Sequence, residues 1–205
     1  MSRAWRIEYE GALYHLLSRG NEGRDIFIND KDRFVFLDTI GEMSERYEID
    51  VSAYVLMGNH YHLLARTKRA NLKRAMHWFG TVYTQRFNRS ERRSGHVFQG
   101  RYKAILVERE SYLLELARYV VLNPVRAKMV RSAHAWPWSS YRATAGQSEI
   151  PGFLTVDWLL SQFADTRTPA IRAYRKFVGQ GRRVNIWEDL RAGSLLGSDA
   201  FAERM

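Results

Sequence analysis

The sequence predicts an α+β domain of the ferredoxin-like, split βαβ type: an antiparallel sheet with helices packed on one face, plus a mostly helical C-terminal extension. Three observations carry this expectation. Hydrophobic periodicity switches along the chain in the order β-α-β-β-α-β-α, the order of a split βαβ unit with one further helix. The two-residue turn Gly58-Asn59 separates two strand-like runs, which makes those strands antiparallel neighbours. At 205 residues and 45% hydrophobic content the chain can bury a sizeable core without cross-links, and it contains no cysteine.

The elements follow in order. Residues 11–19 read as a first, largely buried strand, closed by the turn Gly20-Asn21-Glu22-Gly23. Asn29 or Asp30 can cap a helix over 30–47, with Phe34, Leu37, Ile40 and Met43 at helical spacing. Ile49, Val51, Ala53, Val55 and Met57 alternate as a second strand, and the run from His60 forms the third. A second helix over about 70–89 has Leu72, Ala75, Met76, Phe79, Tyr83 and Phe87 on its inner face. Residues 97–107 look extended, and a third helix runs from about 110 until Asn123-Pro124, since the residue before proline disfavours α geometry. The domain is expected to span 1–145. Within it, Trp136-Pro137-Trp138 reads as a packing segment; the extension over 146–205 is expected to be helical, with short helices at 153–164, 167–178 and 185–190 and a helical pattern that continues at Met205.

His60 and His62 stand one residue apart on a strand, so both project from the same face with Cα atoms about 6.5–7 Å apart. Imidazoles so placed can converge on a divalent ion. Alone, the pair also fits two ordinary polar residues on a half-exposed strand.

Charge distribution adds a second constraint. From Arg66 to Lys103, eleven Lys and Arg accompany one acid, Glu91, a balance of +10 that equals the formal net charge of the whole chain. Interleaved with Trp78, Phe79, Tyr83, Phe87, Phe98 and Tyr102, these cations suit a groove that binds a polyanion and stacks bases. The absence of cysteine excludes disulfides, thiolate metal sites and cysteine nucleophiles. No long apolar run or signal-peptide core is present, so a soluble, cytoplasmic protein is expected.

Tyr119 and Asn123 lie four residues apart, on one face of the third helix. A phenol with a pKa near 10 is ionised to about one part in a thousand at neutral pH, so a tyrosine nucleophile needs help. A divalent ion held by His60, His62 and the amide oxygen of Asn123 would polarise a phosphate and favour the phenolate. Two nitrogens and one oxygen, with positions left open, suit Mg²⁺ or Mn²⁺.

His60-Tyr61-His62 resembles the His-hydrophobic-His (HUH) signature. Residues 119–127, Tyr-Val-Val-Leu-Asn-Pro-Val-Arg-Ala, resemble the Tyr-x-x-x-Asn-Pro-Val-x-Ala segment of single-tyrosine HUH transposases, most of all the REP-associated tyrosine transposases. The likeness runs from about Tyr14-His15 through Tyr141. It implies a metal-dependent endonuclease and strand transferase acting on single-stranded or hairpin DNA, such as repetitive extragenic palindromes. In that reading Tyr119 forms a 5′-phosphotyrosine link, and His60, His62 and Asn123 ligate the metal. It also implies a bacterial, nucleoid-associated monomer or homodimer.

DNA contacts are expected from Arg19, Asn21, Arg69, Lys73, Arg89, Arg92, Arg93, Arg101 and Lys103, with Gln99 beside them. His15 sits on the strand next to the histidine pair and reads as a core or hydrogen-bonded residue, or else as a further ligand; His77 and His96 read as surface or groove residues. A non-cleaving binder of hairpin DNA or RNA is the alternative function, and an RNA-binding ferredoxin-like domain ranks third.

Overall fold

The computed structural model describes residues 7–181, 187, 190–191 and 194–204. Strand β1 (Leu13–Arg19), helix α1 (Asp30–Tyr47), strands β2 (Ile49–Leu56) and β3 (His60–Thr67), helix α2 (Leu72–Ser90), strand β4 (Lys103–Val107) and helix α3 (Arg109–Arg126) follow in the expected order. They align as β2-β3-β1-β4, all antiparallel, with β1 and β3 central. Met57 N–H donates to the His60 carbonyl at 2.9 Å and closes the β2–β3 hairpin across Gly58-Asn59.

Helices α1 and α2 cover one face of the sheet. Phe36 lies at its centre, fully buried, with the rings of Phe27, Tyr61, Phe79 and Tyr83 all 4.8–5.1 Å away. Three of these pairs are edge-on, and such pairs add roughly 0.5–1.5 kcal/mol each beyond the area they bury. All six residues expected on the inner face of α2 are buried. Helix α1 has its capping box at Asn29, whose Oδ1 accepts from Asp32 N–H while Asp32 Oδ2 accepts from Asn29 N–H. Its inner face differs in one position: Phe34 is 59% exposed, and Phe36 takes the core place. The helical period admits either register. The cluster around Phe36 selects one, and Phe34 turns outward against the Trp138 ring at 5.1 Å.

Helix α3 lies on the opposite face, so the expectation of helices on one face holds for α1 and α2. Tyr61 packs into the α1–α2 core, whereas His62, the next residue along β3, meets the ring of Tyr119 from α3. The helix also passes through Pro124 rather than ending before it. Pro124 has no N–H to offer the Val120 carbonyl. The Asn123 side chain supplies the missing donor, Nδ2 donating to Val120 O at 3.3 Å and to Tyr119 O at 3.0 Å.

The open edge of β2 is covered by the tryptophan segment, as an exposed edge requires. Leu56 N–H donates to the Trp138 carbonyl at 2.8 Å, Ser140 N–H to the Tyr54 carbonyl at 3.0 Å, and Trp136 Nε1–H to the Leu56 carbonyl at 3.0 Å. Beyond it come α4 (Tyr141–Thr144), α5 (Val156–Leu160) and α6 (Arg167–Gln180), the last two at the expected places. Arg118 of α3 donates to the Phe177 carbonyl of α6 at 3.2 Å and ties it to the core.

The C-terminal part contributes strands as well as helices. β5 (Leu190–Arg191) and β6 (Leu195–Leu196) extend the sheet to six strands, β6 running parallel to β4, before α7 (Asp199–Arg204). Two-residue strands carry no periodic signal, so the sequence could not announce them. The helix expected over 185–190 falls mostly outside the described residues, and Leu190 itself is strand. No helix among the described residues is long and apolar enough to cross a membrane.

Candidate active site

His60 and His62 do project from the same face, their ring centroids 5.2 Å apart. Tyr61 between them is buried among Phe36, Phe79 and Phe98 on the other face, which explains a bulky apolar residue in that slot. Tyr119, half-buried on α3, sets its ring edge-on to His62 and His15, both at 6.0 Å. Candidate nucleophile and candidate ligands, far apart in sequence, therefore meet between sheet and helix.

His15 is a buried, hydrogen-bonded residue, the first of the two readings its place on β1 allowed. It is 1% exposed, stacks on His62 at a ring distance of 5.0 Å, and its Nε2 lies 2.8 Å from His62 Nδ1. One proton occupies that bond, and when His62 Nδ1 donates it, His62 Nε2 is bare. His60 Nδ1 lies 2.7 Å from the Asn59 Oδ1 acceptor.

The electrostatics keep all three rings neutral. Burial, then Lys103, lowers His15 to about 3. Burial, then Arg19, lowers His60. Burial, then His15 and His60, puts His62 well below the ordinary histidine value. Neutral imidazole is the form that ligates a metal, so His60 and His62 suit a divalent ion as donors. Asn123 stands one turn after Tyr119 with its Nδ2 engaged by the helix carbonyls, which leaves Oδ1 as its donor atom. No group of three His, Cys, Asp or Glu suited to a metal occurs among the described residues.

The expected cations divide by position. Arg19 is opposite His60 in the β1–β3 register, and Gln99 N–H donates to the Arg19 carbonyl at 2.8 Å. Asn21 is held at the same end by its N–H to the Val97 carbonyl, 2.9 Å. Lys103 is opposite Leu17, next to Arg101. Arg89 lies in the last turn of α2 and Arg92 and Arg93 just after it, where Glu91 receives Asn29 Nδ2 at 3.4 Å. All of these crowd the His60 end of the sheet. Arg69 and Lys73 lie beyond Thr67 at the other end of β3, about 20–25 Å from His60 by strand rise. Arg69 pairs with Glu48 there, while Arg66 and Lys68 share Asp50 and Arg86 pairs with Glu42. His77 and His96 are exposed.

Sequence reasoning missed two residues of the site. Trp187 stacks on His15 at 5.4 Å and meets the Tyr119 ring edge-on at 4.9 Å, although it follows Tyr119 by a whole helical extension. Arg126, two turns after Tyr119 on the same face of α3, places its guanidinium 5.2 Å from the tyrosine ring centroid. Its i, i+7 spacing from Tyr119 was available as a signal.

A split βαβ sheet bearing a histidine pair under a tyrosine helix defines the class of protein. The chain belongs to the IS200-like transposase family, whose model matches residues 8–123, more than half of its length. Its fold is similar to that of the REP-associated tyrosine transposase bound to a REP hairpin, with TM-score 0.61 and 15% identity over 77% of this chain and 91% of that one. Fainter likenesses are to a putative transposase from Deinococcus radiodurans R1 (TM-score 0.41, 13% identity, 58% of this chain and 94% of that one) and to tRNA(His) guanylyltransferase from Saccharomyces cerevisiae (TM-score 0.43, 10% identity, 96% and 88%). No curated protein matches the sequence.

Proposed function

We propose that this transposase cuts and rejoins single-stranded DNA at a hairpin, with Tyr119 as nucleophile. The supporting observation is the convergence of the Tyr119 ring with His62 and His15, at 6.0 Å each, beside His60. The Tyr119 oxygen attacks the scissile phosphorus. A P–O bond forms to tyrosine, the bond to the 3′-oxygen breaks, and the phenol proton reaches the departing 3′-hydroxyl through solvent. The 5′-phosphotyrosine link keeps the phosphodiester energy, so attack by another 3′-hydroxyl reseals the strand without ATP.

His60, His62 and Asn123 Oδ1 would hold Mg²⁺ or Mn²⁺, which when bound supplies Lewis-acid polarisation of the phosphate. The surrounding residues prepare that site. Burial keeps the imidazoles neutral, Asn123 holds the helix continuous through Pro124, and the cations at the His60 end attract the phosphate backbone. The substrate class agrees with the REP hairpin bound by the transposase that shares the fold.

The test is incubation with end-labelled, hairpin-bearing single-stranded DNA and Mg²⁺, Mn²⁺ or EDTA, read on a denaturing gel. A metal-dependent covalent adduct that Tyr119→Phe cannot form is expected. One observation favours a second reading, a non-cleaving hairpin binder: the Trp187 ring packs against Tyr119 at 4.9 Å. Binding without any adduct, in wild type and in Trp187→Ala alike, would establish that reading instead.

A further inference from the structure

The turn before His60 is tied to the loop after β1 by three hydrogen bonds. Gly20 N–H donates to the Asn59 carbonyl at 2.8 Å, Ile26 N–H to the Gly58 carbonyl at 3.1 Å, and Asn59 Nδ2 to the Gly23 carbonyl at 3.0 Å. The loop itself is rigidly shaped: a Cβ at Gly20 would lie 1.9 Å from the Arg24 carbonyl oxygen, so only glycine fits there.

The last of these bonds fixes the orientation of a side chain. A carbonyl can only accept, so the atom of Asn59 that faces Gly23 is the amide nitrogen, and the atom that faces His60 is Oδ1. Oδ1 in turn can only accept, so the nitrogen 2.7 Å from it, His60 Nδ1, carries the proton. A neutral imidazole protonated at Nδ1 is bare at Nε2. We propose that Asn59 is a positioning residue that locks His60 in its Nδ1–H form, so that Nε2 is ready for a divalent cation before any ion arrives. The inference rests on the proposed metal role of His60. It makes the loop at 20–23, through Asn59, part of the ligand's support, the kind of partner whose removal lowers metal affinity 10- to 100-fold.

The experiment uses the full chain, metal-free and carrying ¹⁵N-labelled histidine, at pH 8. Two-bond ¹H–¹⁵N correlation reads the protonated nitrogen of each ring, and His60→Gln assigns the His60 signal. Wild type is expected to show Nδ1–H at His60, Asn59→Ala to move it to Nε2–H, and Asn59→Asp to keep Nδ1–H. Mn²⁺ affinity, read by loss of the free-ion paramagnetic resonance signal, should fall about 10- to 100-fold in Asn59→Ala and stay within a few-fold of wild type in Asn59→Asp. Asp accepts from His60 but cannot donate to Gly23, so this pattern assigns the effect to Oδ1 and not to loop anchoring. A His60 ring that is Nε2–H in wild type, or Nδ1–H in Asn59→Ala, overturns the inference. Wild type that shows the Nδ1–H lock but binds no Mn²⁺ defeats the metal reading of His60 and upholds the role of Asn59 in fixing the ring.

Discussion

His15 Nε2 and His62 Nδ1 are 2.8 Å apart between β1 and β3, and the other nitrogen of His15, Nδ1, is buried with no hydrogen-bond partner. His62 therefore has its rear nitrogen engaged by a neighbour on β1, while its front faces Tyr119.

Replacing His15 by Phe fills the volume but leaves His62 Nδ1 buried and unpaired, a loss of about 1–3 kcal/mol in stability. If His15 orients His62 as a ligand, covalent adduct formation should also fall about 10- to 100-fold with hairpin affinity unchanged. His15→Gln, which retains a hydrogen-bonding end, should recover part of both. Denaturant unfolding and initial rates on the denaturing gel read the two effects. An adduct rate in His15→Phe equal to wild type would make the pair a packing feature alone.

Acid should destabilise the protein through the same rings. His15 and His62 are held below the ordinary histidine value by burial, so between about pH 6.5 and the folded value, about 3 for His15, the unfolded chain binds more protons than the folded one. Stability is fully present above pH 6.5 and is lost as pH falls through that window. The slope for each ring that stays neutral approaches about 1.4 kcal/mol per pH unit. Unfolding free energies at pH 7.5, 6.5 and 5.5 should decline in that order, less steeply in His15→Phe. A flat profile in wild type would show that both rings protonate without disturbing the fold.

Much of this architecture was legible because each element had its own period. The central β1–β3 pair, the Gly58-Asn59 hairpin and the inner face of α2 follow directly from alternation and helical spacing. His60, His62 and Tyr119 were legible as residues, and the fold was needed to bring them together. What the sequence withheld depends on contacts between distant segments. Phe34 and Phe36 are equally apolar, and only the rings around Phe36 decide which is buried. Trp187 approaches Tyr119 by tertiary packing. Charge counted along the chain also misses pairing between elements: Asp50 meets both Arg66 and Lys68, Glu48 meets Arg69, and Glu42 meets Arg86.

Asn123 serves its own helix whatever else it does. Its Nδ2 stands in for the N–H that Pro124 lacks at the Val120 carbonyl. Asn123→Ala should therefore cost about 1–2 kcal/mol. In the double variant Asn123→Ala/Pro124→Ala the backbone N–H of residue 124 returns, and stability should recover. Adduct formation separates the second role: if Oδ1 is a ligand, the stable double variant stays impaired. Full activity in the double variant would confine Asn123 to helix repair.

Salt dependence should map which cations meet DNA. Arg92 and Arg93 lie at the His60 end, whereas Arg69 and Lys73 lie at the far end of β3, where Arg69 is already paired with Glu48. Each phosphate contact contributes roughly 0.7–0.9 to the slope of log affinity against log salt. Neutralising Arg92 and Arg93 to Gln should weaken hairpin binding and flatten the slope by up to about two. The matched pair Arg69→Gln and Lys73→Gln should leave the slope within about half a unit of wild type, because a strand seated at Tyr119 would have to travel the length of the sheet to reach them. Fluorescence anisotropy with one hairpin from 50 to 300 mM salt separates the cases. If the far-end pair flattens the slope and the near-end pair does not, the DNA runs along the sheet away from His60, and the groove is the one that the count of charges along the chain had suggested.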